Sequence, residues 1–126
     1  SDLDSLLAEW RAHSEPQRGA ILQACGTLAR QLHGAGQMHG CFYPKHIFLR
    51  ETAAGFDAQL IDLEKTRPLL FGRRDRVKDL EPLLRRASVW SDAEVAVLLA
   101  AYLDERVDLE AWSAQLGARR RNKEAR

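Results

Sequence analysis

The sequence contains no apolar run approaching the roughly 18 residues needed to cross a bilayer. It has only two cysteines, Cys25 and Cys41. Two are too few for a disulfide framework, and with scattered histidines they lack the close paired spacing of a structural zinc site. No secretory signal opens the sequence, so a reducing cytoplasm is the expected compartment. An excess of charge of one sign is also missing: 19 Lys and Arg stand against 18 Asp and Glu. A dedicated nucleic-acid binder is usually strongly basic, so no nucleic-acid partner is expected. Internal repeats are absent, as is any low-complexity segment apart from a basic C-terminus. What remains is a chain of 126 residues, enough for one compact domain with a core. It opens on Ser1 rather than methionine and is expected to be a piece of a longer protein.

Helical periodicity dominates. Leu3, Leu6, Leu7 and Trp10 share one face of a first helix, with Asp2 as its N-cap. Ser14-Glu15-Pro16-Gln17 reads as a capping box with proline in the first turn. The helix that follows carries a stripe of Ile21, Leu22, Cys25, Leu28, Ala29 and Leu32, and ends at Gly34-Ala35-Gly36. Ile47-Phe48-Leu49 has the apolar character of a buried strand, and residues 56–61 form its hairpin partner. Pro68 is expected to stop regular structure, leaving residues 69–76 as a basic loop. A helix should begin near Val77, with Pro82 confined to its first turn. Ser91-Asp92-Ala93-Glu94 is a second capping box. A last helix carries Leu109, Trp112 and Leu116. Residues 1–117 are expected to form the ordered unit and 118–126 a basic mobile tail.

The pattern therefore predicts a mainly α fold with a small β-hairpin. Its most specific stretch is His39-Gly40-Cys41, then four residues, then His46, followed by the hairpin and Asp62. Kinase catalytic loops read His-Arg-Asp, four residues, then Asn, with a metal-binding acid after the next hairpin. The frame is present, but the catalytic acid has become Cys41 and the Asn has become His46. A helical bundle with an inserted hairpin satisfies the periodicity equally well.

Residues 32–39 (Leu-His-Gly-Ala-Gly-Gln-Met-His), Tyr43-x-x-His46-Ile47-Phe48-Leu49 and Leu60-Ile61-Asp62-Leu63-Glu64-Lys65 resemble the lipopolysaccharide kinase (Kdo/WaaP) family, nearest its InaA-like branch. Lys78-Asp79-Leu80-Glu81-Pro82 resembles that family's next helix. The resemblance implies a protein-kinase-like C-terminal lobe lacking the N-lobe, because no glycine-rich loop and no ATP-binding strand lysine has a counterpart here. It implies Mg and ATP as cofactors of a full-length protein, with none expected for this fragment.

The same resemblance assigns roles. Asp62, and His46 beside it, would hold magnesium. An imidazole suits that hard cation less well than oxygen. Cys41 occupies the catalytic-acid position, and a free thiol with a pKa near 8.5 is mostly neutral at pH 7. A pseudokinase or weak kinase follows. If active, it would phosphorylate a sugar of the lipopolysaccharide core. His39 would support the loop, and Asp79 would accept hydrogen bonds from its backbone. Arg73, Arg74, Arg76 and Lys78 lie where substrate would bind and are candidates to meet lipopolysaccharide or an anionic membrane surface. Such a protein would work in the cytoplasm, peripheral to the inner membrane. A second class is an interaction module that binds a protein partner or a second copy, with Trp10, Trp90 and Trp112 forming part of its contact face.

Overall fold

The computed structural model describes residues 1–40, 42–61 and 66–103. The expected last helix and basic tail, along with Cys41 and Asp62, lie outside them. The chain opens with α1 (Leu3–Ala8), capped by the Asp2 carboxylate accepting from the Ser5 N–H. A 3-10 turn over Trp10–Ala12 follows. The long α2 (Glu15–Gly34) begins at Ser14 with both halves of the capping box formed.

Next come β1 (Gln37–Met38), a 3-10 turn at Pro44–His46, β2 (Ile47–Thr52), β3 (Gly55–Leu60) and β4 (Arg67–Pro68). Among the described residues two helices follow, α3 (Arg73–Arg86) and α4 (Asp92–Leu103). At Ser91 the second capping box closes: Ser91 Oγ accepts from the Glu94 N–H, and the Glu94 carboxylate from the Ser91 N–H.

β2 and β3 form the hairpin, with Ile47 opposite Leu60 and Leu49 opposite Ala58. Strand alternation sends Ile47 and Leu49 inward. Phe48 points the other way and is 41% exposed, so the expectation of a strand buried throughout is corrected. The hairpin is half-buried, as an antiparallel pair with one solvated face should be.

Two further expectations are corrected, and one is met. Pro68 ends regular structure as expected, but as the last residue of a short strand: it pairs with Gln37 across β1 and β4, an edge position that proline tolerates. The third helix starts at Arg73, four residues before Val77. Gly72, at φ 55°, turns the chain into it. Pro82 consequently sits inside α3. Val77, Leu80, Leu83 and Leu84 are buried on both sides of it, and this continuous apolar stripe holds the helix across the lost backbone bond.

The core lies where α2 meets α3, α4 and the hairpin, around Ile21, Leu22, Leu80, Leu98 and Ile47. Gly26 lets α2 and α4 approach closely: a Cβ there would lie 2.3 Å from the Leu98 carbonyl oxygen and 2.9 Å from the Ala101 Cβ. This contact brings Tyr102 of α4 against His33 near the end of α2. Trp10 and Trp90 are 1% and 2% exposed and pack on each other with centroids 5.8 Å apart. The Trp10 indole N–H donates to Glu94. They are core residues and not a partner face. Cys25 is enclosed, and burial pushes its thiol pKa up to about 12.

Candidate active-site loop

The loop after α2 is held by side chains from three helices. Asp79 of α3 accepts from the backbone N–H of His39 at 2.9 Å and of Gly40 at 3.0 Å. Its Oδ2 also meets His33 Nε2 at 2.7 Å. His33 Nδ1 in turn bonds the Tyr102 hydroxyl. Arg76 closes the group with longer contacts of 3.4 Å to the His33 carbonyl and 3.5 Å to the Tyr102 oxygen.

His33, His39 and Asp79 are 2% exposed or less. Burial pushes the Asp79 carboxyl pKa upward, but bonds from His33, His39 and Gly40 outweigh it and hold the group below its ordinary range. Burial pushes the Tyr102 phenol to about 12. The Asp79 carboxylate can only accept, so His33 Nε2–H donates to it.

The far end of the loop is tied to β3. The Ile61 N–H donates to the His46 carbonyl at 2.9 Å. The Ile61 carbonyl meets His39 Nε2 at 3.1 Å. Both motif histidines thus grip the residue immediately before Asp62. His39 and His46 lie with ring centroids 5.5 Å apart, and Tyr43 stacks on His46 at 5.6 Å. The Arg86 guanidinium sits 4.0 Å from the Tyr43 ring centroid. A cleft of about 290 Å³ opens beside this column, lined by Asp4, Tyr43, Pro44, Lys45 and Arg86. A larger cleft, about 600 Å³, includes Phe48, Leu6 and Ser1.

The candidate residues thus divide. His39, His46 and Asp79 come together around one loop. Arg76 turns inward to Tyr102 and His33, whereas Arg73, Arg74 and Lys78 are exposed. Among the described residues no three His, Cys, Asp or Glu side chains converge as a metal site. Nearby imidazoles are poor magnesium ligands, and Asp79 is committed to its hydrogen bonds. The described residues alone therefore do not fit a magnesium site. Sequence reasoning missed His33, Tyr102 and the outward Phe48. His33 carried a signal: it follows Leu22, Cys25 and Ala29 on the buried face of α2, where a polar residue needs a partner.

The family model for the lipopolysaccharide kinase (Kdo/WaaP) family matches residues 1–102. The chain belongs to that family. It is 34% identical over 76 residues to protein InaA of Escherichia coli (strain K12), covering 56% of this chain and 34% of InaA. Its fold matches a solved structure of WaaP in complex with acyl carrier protein, with a TM-score of 0.81 and 25% identity, over 97% of this chain and 55% of that one. The chain thus spans about half of the WaaP chain and a third of InaA. The architecture is kinase-like, mostly helical with small antiparallel sheets. No helix among the described residues is long and apolar enough to cross a membrane.

Proposed function

We propose that this chain is the C-terminal lobe of an InaA-like member of the family, in which the loop scaffold of a kinase is kept and the catalytic acid is not. The observation that carries the reading is the Asp79 cradle. Two backbone N–H groups of the loop, His39 and Gly40, are held by one buried carboxylate, itself bonded to His33. This fixes the backbone immediately before residue 41, the position from which a catalytic side chain would act. In this sequence that residue is a cysteine, whose neutral thiol is a weak base at pH 7. The chain is accordingly a pseudokinase or a weak kinase.

In the whole protein, Asp62 would supply the oxygen that the described residues do not. Phe48, outward in the larger cleft and two residues beyond His46, offers an apolar face to a planar base. If phosphate transfer persists, a core sugar of lipopolysaccharide is the acceptor, at the cytoplasmic side of the inner membrane. A protein partner is a second reading, favoured by the acyl carrier protein present with WaaP.

The test is thermal stability of the longest form of the protein with and without Mg-ATP. A ligand that binds the native state raises its melting temperature by mass action. A rise that disappears in Asp62→Ala and shrinks in Phe48→Ala supports nucleotide binding. Phosphotransfer gained by Cys41→Asp would identify residue 41 as the missing acid. The absence of any shift in a form carrying the N-lobe would reject the nucleotide reading.

A further inference from the structure

The turn leading into α3 ends in two apolar side chains that project into water. Leu70 is 74% exposed and Phe71 63%. Their backbone is not loose. The Leu69 N–H donates to the Gly36 carbonyl at 2.9 Å, and the Leu70 and Phe71 N–H groups donate to Asp75 Oδ2 at 2.9 and 3.0 Å. Three consecutive N–H groups are thus satisfied within the protein, and Gly72 at φ 55° completes the turn. The Arg74 guanidinium lies 5.4 Å from the Phe71 ring centroid, and Lys78 follows one turn later on the exposed side of α3. Arg67 and Arg73 are exposed too.

We infer that Leu70 and Phe71 form a preformed wedge that enters the surface of an anionic lipid bilayer, with Arg74 and Lys78 meeting lipid headgroups around it. This inference rests on the tip itself and stands whether or not the protein binds nucleotide. Insertion of an apolar pair is opposed mainly by ordering, and here the backbone is already ordered. The basic flank supplies attraction to anionic headgroups. A protein partner suits the tip less well. Neither side chain lines the clefts described above. Two adjacent side chains also fall far short of the roughly 1,000 Å² that a stable protein interface needs.

The experiment is sedimentation of the full chain with vesicles of phosphatidylglycerol and phosphatidylcholine in equal parts, at low salt, beside pure phosphatidylcholine. Binding is expected only to the anionic vesicles. Leu70→Ser/Phe71→Ser should weaken it about tenfold or more, with an unchanged melting temperature. Should that variant fail to fold, Phe71→Trp provides a second readout: its added fluorescence should be quenched by bromine-labelled lipid. No binding to anionic vesicles overturns the inference. So does binding that falls with Arg74→Glu/Lys78→Glu but is insensitive to the apolar pair, or added fluorescence in Phe71→Trp that brominated lipid does not quench. If the apolar pair is needed to hold a soluble acidic protein while vesicle binding persists without it, the tip is a protein-docking site and the bilayer assignment fails.

Discussion

Asp75 and Asp79 lie one turn apart on α3, and each carboxylate accepts two backbone N–H groups from a neighbouring loop. Asp79 takes those of His39 and Gly40, and Asp75 those of Leu70 and Phe71. Both carboxyl pKa values are held down. For Asp75 the cause is the Leu70 and then the Phe71 N–H; for Asp79 burial opposes the shift and the hydrogen bonds overcome it. The difference is what surrounds the pair of bonds. Around Asp79 the partners are buried, and a histidine and a tyrosine extend the network. Around Asp75 the loop faces water. One device thus serves two ends: in the interior it makes a loop obligatory, and at the surface it only stiffens one. An unpaired donor costs most where water cannot replace its partner.

The largest effect should come from Asp79→Ala, which leaves His33 and two N–H groups buried without their acceptor. A loss of about 3 kcal/mol or more in urea unfolding is expected. A loss below about 1 kcal/mol would break the comparison, because Asp79 would then matter no more than an acid holding a solvent-facing loop. The acid response carries the same information. With a folded pKa below the ordinary 3.8, Asp79 contributes stability that is present above that value and lost as pH falls through the lowered one. Asp79→Asn should flatten this part of the acid unfolding curve.

Gly26→Ala attacks the network from outside. The new Cβ would collide with the Leu98 carbonyl and push α4, with Tyr102, away from His33. About 2 kcal/mol of destabilisation is expected. In a double-mutant cycle with Tyr102→Phe, costs that simply add would show the helix contact and the cradle to be independent.

Tyr102→Phe alone removes one hydroxyl from the buried chain and should cost about 1 kcal/mol by the same urea measurement. Asp75→Ala should have the smallest effect, below that of Tyr102→Phe, since the freed groups are only part-buried and belong to a loop whose Leu70 and Phe71 side chains already face water. Its signature is local. Hydrogen exchange at the Leu70 and Phe71 amides should quicken while core amides keep their rates. Equal quickening throughout would mean that Asp75 also supports the global fold.

Much of this was legible in advance. Ser14 with Gln17 and Ser91 with Glu94 close their boxes within three residues, so short-range chemistry suffices to find them. The α2 stripe follows from helical spacing, and the kinase-like loop from the spacing of His39 and His46. The misreadings have a common cause. Pro82 argues for a helix start when its turn is considered alone, but the burial of Val77 and Leu80 before it carries the helix through. Phe48 looks like a core residue by type, yet strand alternation and the missing cover on its face leave it outward. Arg76 reads as one more cation in a basic run until α2 and α4 place His33 and Tyr102 beside it.

By itself, the sequence determined the capped helices, the hairpin and the family. These depend on residue identity and on spacings of a few residues, which the chain carries wherever it folds. Tertiary structure decided that His33 and Tyr102 join the Asp79 cradle and which basic residues are left for solvent. Asp79 is 40 residues from His39, and His33 is 69 from Tyr102. Hydrogen bonds at such separations have no local signature, because they form only after packing of the apolar faces has brought the helices together.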